Sequence, residues 1–166
     1  MKSAKLLLGL ATLGVLLIGL GGASQAADKT ADLDVSASIA KNCTITTAPV
    51  NFPTYDPIVT HASAPDDGTG TVTVACTKGA AVTVALGQGD NYSGGNRMAN
   101  GTNYLGYALY QDSGYSAAWG TGSGNEVLVT TTSKDPVPLT VYGRIPGGQD
   151  LPEGTYNDTV VATVNF

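Results

Sequence analysis

From Leu33 to Ile39 the chain alternates without a break, with Leu33, Val35, Ala37 and Ile39 on one face and Asp34, Ser36 and Ser38 on the other. A period of two marks a half-buried strand, so these apolar side chains need a groove. The same period recurs downstream. Thr71–Thr77 sets Val72, Val74 and Cys76 against Thr71, Thr73 and Ala75, and after Lys78-Gly79 the stretch Ala81–Leu86 alternates through Val82, Val84 and Leu86. These two runs predict a hairpin with Cys76 on its apolar face. Thr102–Gln111, with Leu105, Tyr107 and Leu109 on one side, then Glu126–Thr132, Leu139–Ile145 and Tyr156–Phe166 read as further strands.

The intervening segments carry turn and breaker chemistry. Pro49 and Pro53 make Ala48–Asp56 an edge or irregular segment. His61–Gly70 reads as loop, with a turn at Pro65-Asp66-Asp67-Gly68, and Gly87–Gly101 as a long Gly- and Asn-rich loop. A Gly/Ser-rich stretch, Asp112–Asn125, surrounds Trp119, and Pro146–Gly154 turns the chain into its last strand. Seven or so short strands with no helical period beyond residue 26 predict an all-β fold, an antiparallel sandwich. The chain stops at Phe166 with no tail to pair beside that last strand. The expectation is a polymerising unit whose opening strand is donated to a neighbouring molecule.

Compartment changes how the rest is read. Lys2 and Lys5 precede the almost wholly apolar Leu6–Leu20, and Ser24-Gln25-Ala26 is a small-x-small cleavage site. Residues 1–26 therefore read as a secretory signal peptide cut after Ala26, the apolar run being short for a membrane anchor. About 140 of the 166 residues remain, enough for one domain with a core. Without Lys2 and Lys5 the 8 basic residues fall to 6 against 13 acidic ones, a net charge of −7. With no basic cluster, phosphate contacts and hence nucleic-acid binding are excluded. Cys43 and Cys76, both in an exported chain, are expected to form one disulfide. Two cysteines and one histidine do not make a zinc site, so no metal is expected.

Catalytic chemistry is sparse. His61 sits in an Ala/Pro loop and reads as a surface residue, Glu occurs only at 126 and 153, and Asp66 and Asp67 read as a solvated turn. No nucleophile elbow, zincin motif or phosphate-binding loop occurs. Neither an enzyme nor a cofactor is expected. Tyr104, Tyr107, Tyr110, Tyr115 and Trp119 cluster in sequence. They suit a sugar-binding face or, more plainly, core and rim packing.

Asn42-Cys43-Thr44, Tyr55-Asp56-Pro57, Gly70–Cys76, Arg97-Met98, Leu105–Tyr110, Trp119-Gly120, Tyr142–Pro146 and Gly154–Val160 follow one another along the mature chain. In this order they resemble the spore coat protein U domain family, which includes subunits of archaic chaperone–usher pili. Pro53 departs from the family, which often has Gly there. The resemblance implies an incomplete immunoglobulin-like sandwich over 43–166 that lacks its final strand. Residues 27–42 would be a donor extension with Leu33, Val35, Ala37 and Ile39 inserted. Tyr156, Val160, Ala162, Val164 and Phe166 would border the acceptor groove. The implied partners are a periplasmic chaperone, an outer-membrane usher and further pilin subunits, at the cell surface, in adhesion and biofilm formation. A spore or surface coat protein of the same domain, or less favoured a carbohydrate-binding tip module, is the alternative.

Overall fold

The computed structural model describes residues 27–166; the signal peptide expected over 1–26 lies outside them. Residues up to Ala37 form one unit and Ser38–Phe166 another. The second unit holds eight strands: β1 (Cys43–Asn51), β2 (Asp66–Cys76), β3 (Ala81–Gly89), β4 (Asn96–Asn100), β5 (Asn103–Tyr110), β6 (Val127–Thr130), β7 (Val137–Ile145) and β8 (Val160–Asn165). They form a five-stranded sheet, β1-β2-β7-β5-β4, and a three-stranded sheet, β6-β3-β8, with every pairing antiparallel.

The core lies between the sheets. Val72, Val74 and Cys76 of β2 meet Val82, Val84 and Leu86 of β3, with Leu109, Val129 and Val141 completing the cluster. Trp119 is buried among them, and its indole N–H donates to the Val84 carbonyl at 3.0 Å. This bond satisfies the one polar group that the ring carries inside.

The two alternating runs on either side of Lys78-Gly79 do not form the expected hairpin. β2 and β3 belong to different sheets, and Gly79, at φ 81°, carries the chain across the sandwich. Alternation reveals which face is buried but not which strand supplies the ladder. Two apolar faces meeting across a core carry the same pattern as a hairpin.

Two loop readings and one strand boundary are also corrected. Asp66–Gly70 is strand, because β7 offers it a partner edge from Ile145 to Val141. On the outer face Arg144 donates to both oxygens of Asp67, at 2.7 and 2.8 Å. The guanidinium holds that carboxyl below its ordinary range. Within Gly87–Gly101, β3 runs on to Gly89, and Asn96–Asn100 pairs with β5. The last strand starts at Val160 rather than Tyr156. Before it, one bridge between Asn157 and Ala99 holds the chain.

His61 is buried rather than on the surface. Its ring stacks on Tyr55 with centroids 4.9 Å apart, and Nδ1 accepts the Asp56 N–H at 3.0 Å. Nε2 lies 3.7 Å from the buried Asp66, whose carboxyl burial pushes up. The aromatics that cluster in sequence scatter in space. Trp119 is core, Tyr104 lies under Arg97, and Tyr115 stands edge-on to Tyr110 and Tyr142 beneath Arg144.

Candidate functional site

Among the described residues the two sheets end on four edge strands, β1, β4, β6 and β8, and two of these edges, β1 and β8, border one gap. β1 pairs only with β2, and β8 pairs only with β3. No ladder joins β1 to β8, although they lie side by side at the open margin of the sandwich. The inward residues of β8, Val160, Ala162 and Val164, are half-buried, whereas the equivalent positions of β3 are fully buried. Half-burial of an inward row is what a missing neighbour produces.

The space between the edges is a groove of about 950 Å³. One wall is the second half of β1 with Phe52; the other is Val160 and Ala162 with the approach from Tyr156 to Thr159. Its floor is core seen from the side, including Leu86, Leu105, Leu109, Val141 and Ile145. This is apolar surface beside two rows of unpaired backbone groups, the arrangement that accepts an added strand.

Glycines shape the β1 wall. A Cβ on Gly143 would stand 2.7 Å from both Phe52 Cζ and Val50 Cγ1, and one on Gly70 2.7 Å from Val50 Cγ2. Bare backbone on β2 and β7 therefore lets the end of β1 bend inward, next to the register shift between Ala48 and Asn51. At the other end of the strand the Cys43–Cys76 disulfide joins direct cross-strand partners. Thr77 adds a clamp there, accepting the Asn42 N–H at 3.0 Å and donating its hydroxyl to the Ala40 carbonyl at 3.2 Å.

The β8 wall is fixed by Asp158. Its carboxylate accepts the Tyr107 hydroxyl at 2.7 Å and both the backbone and side-chain N–H of Asn91 at 3.1 Å. Burial first, and the carboxylate second, push the Tyr107 phenol well above its ordinary range.

Of the residues expected to border the groove, Tyr156, Val160 and Ala162 line it. Val164 faces the core further along β8, and the exposed Phe166 follows the strand. Residues 27–42 have no secondary structure, and Leu33, Val35 and Ile39 are 86–88% exposed. The β1 wall and the floor were not identified in sequence as groove. The inward alternation of the floor strands was legible and the β1 wall read only as an edge or irregular segment, but nothing in either signal tells a position facing a filled core from one facing a gap.

The Spore Coat Protein U domain model matches residues 29–163. Protein U of Myxococcus xanthus is 39% identical over 158 residues, covering 86% of this chain and 88% of its own. Among solved structures, a chain of the chaperone–tip adhesion subunit pre-assembly complex from archaic chaperone-usher Csu pili of Acinetobacter baumannii shares the fold. Its TM-score is 0.57 at 20% identity, over 78% of this chain. This chain spans 41% of that one.

Proposed function

Because the chain belongs to the spore coat protein U domain family, we propose that it is a structural subunit of a surface pilus, built by strand exchange between copies. It has no catalytic role in this reading. The observation that carries it is the apolar groove between the unpaired edges of β1 and β8. A sandwich with that groove empty exposes core. The alternating segment Leu33–Ile39, exposed on its apolar face, is the matching occupant from another copy. In this reading the extension is 27–42 and the body 43–166, a division supported by the start of β1 at Cys43.

A periplasmic chaperone would occupy the groove before assembly, and an outer-membrane usher would exchange that strand for the next subunit's. The fold shared with a chain of a chaperone–pilus subunit complex supports this route. Passage through the periplasm, display on the surface, and adhesion and biofilm formation go with it. The family's description as a spore coat domain favours a second reading, a surface coat assembled by the same exchange without an extended fibre.

The test is to append a flexible linker and a second copy of Asp32–Lys41 after Phe166. The expected product is a soluble monomer more heat-resistant than the unmodified mature chain, which should aggregate. An unmodified chain that is already monomeric, and gains nothing from the appended strand, overturns the reading.

A further inference from the structure

The strand registers place the ends of β1, β2, β3, β7 and β8 at two poles. Cys43 lies opposite Cys76, Val74 opposite Val137 and Thr83 opposite Asn165, while the Gly79 N–H donates to the Thr131 carbonyl. These gather the start of β1, the end of β8 and the turns at 77–80 and 131–136 at one pole. Asp66 lies opposite Ile145 and Gly89 opposite Val160. They set the end of β1, the start of β8 and the groove-lining segment 149–159 at the other.

The charges divide between the poles. Lys41, Lys78 and Lys134, all exposed, stand at the first with Asp135 as the one acid. The second holds Asp56, Asp66, Asp67, Asp90, Asp150, Glu153 and Asp158 against Arg97 and Arg144. Arg144 is spent on Asp67, and Arg97 lies over Tyr104 with its Nε–H donated to Asn91. Asp90, Asp150 and Glu153 are exposed and, among the described residues, have no cationic partner.

β1 and β8 run in opposite directions between the poles. A strand entering between them extends the all-antiparallel β6-β3-β8 sheet best by running antiparallel to β8, the more stable pairing. Its C-terminal end then emerges at the acidic pole. From Ile39 to Cys43 is four residues, at most about 14 Å of chain. The Ala40 carbonyl and Asn42 are held by Thr77 on the donor's own body. The lysine pole of the donor is thus tethered at the acidic pole of the acceptor.

We propose, on the strand-exchange reading above, that successive copies also meet head to tail through these poles, Lys41, Lys78 and Lys134 of one against Asp90, Asp150 and Glu153 of the next. Such a contact between unlike surfaces is head-to-tail, and it repeats as an open filament when its rotation does not close a ring. Exposed charges there orient the subunits rather than hold them, since the inserted strand supplies the affinity.

The test is zero-length carbodiimide coupling of assembled polymer, followed by peptide mass spectrometry. Amide links from Lys78 or Lys134 of one copy to Asp90, Asp150 or Glu153 of another are expected in polymer and absent from the strand-appended monomer. Replacing both lysines (Lys78→Glu with Lys134→Glu) should cut those links at least tenfold. Adding Asp90→Lys and Asp150→Lys to that variant should bring back links of reversed polarity. Polymer in normal yield without pole-to-pole links, or charge reversal that the second pair does not rescue, overturns the contact and leaves strand exchange standing. Failure of the unaltered chain to polymerise at all overturns both.

Discussion

Tyr107 and Asp158 join the floor of the groove to its β8 wall: the phenol on β5 donates to the carboxylate just ahead of β8 at 2.7 Å. Tyr107→Phe keeps the ring and leaves Asp158 with the two Asn91 donors. The expected loss is about 1.5–3 kcal/mol, the range for a bond to a charged group, in urea unfolding of the strand-appended form. Because the folded phenol titrates above the unfolded one, its contribution is full below the unfolded value of about 10. It is lost as pH rises beyond that. Wild type should therefore lose stability above about pH 10 more steeply than Tyr107→Phe. Equal alkaline slopes would show that the bond does not persist in solution.

The disulfide closes a loop with a sequence separation of 33 between the start of β1 and the end of β2. In the chain-entropy model it contributes roughly 3–4 kcal/mol. Replacing both cysteines by Ala should cost that much, and it should also loosen β1, the groove wall that the bridge staples. Thiol labelling of denatured exported protein should find no free cysteine. Two labelled thiols per chain would refute the pairing.

How much of this was legible in the chain depended on which physical signal was asked for. Period two revealed the buried faces of β2, β3, β5 and β7 because burial is a local property of a strand. It did not reveal that β2 and β3 lie in opposite sheets, since ladder partners are a long-range choice. Asp66-Asp67-Gly68 carries turn composition yet is strand. Gly68 serves there as space for the end of β1, and Asp67 finds Arg144 from 77 positions away. His61 lacked any motif, and its burial depends on Tyr55, Asp56 and Asp66 converging in space. The groove has no sequence signal of its own, because it is defined by two edges that, among the described residues, no ladder joins.

Glycine at 143 is required by volume. A methyl there would press on Phe52 and Val50 at 2.7 Å, and the neighbours are a ring and a branched side chain packed against core. Gly143→Ala should cost about 1–3 kcal/mol by overpacking and narrow the groove mouth by displacing the end of β1. Gly95→Ala, with nothing within 4 Å of the added carbon, is the matched control and should stay within about 0.5 kcal/mol. Urea midpoints of both variants in the strand-appended form decide this. Equal midpoints would mean that the wall gives way freely.

The opening strand separates fold from assembly. Leu33, Val35 and Ile39 are exposed in the molecule that carries them, so changing them should leave its body intact. In a neighbour's groove, burying the three contributes on the order of 5–9 kcal/mol, with a little more from Ala37. Val35→Asp or Ile39→Asp would drive a carboxylate into apolar surroundings or expel the segment, at a cost of several kcal/mol. Ser36→Asp places the same charge on the opposite face, which an inserted strand turns to solvent. All three variants should therefore form soluble complexes with the chaperone in equal yield. Polymer counted on unboiled gels should be lost for Val35→Asp and Ile39→Asp and kept for Ser36→Asp. Equal polymer from the three would mean that the alternating face is not the inserted one. Misfolding of the two inward variants before chaperone capture would mean that the segment packs within its own chain.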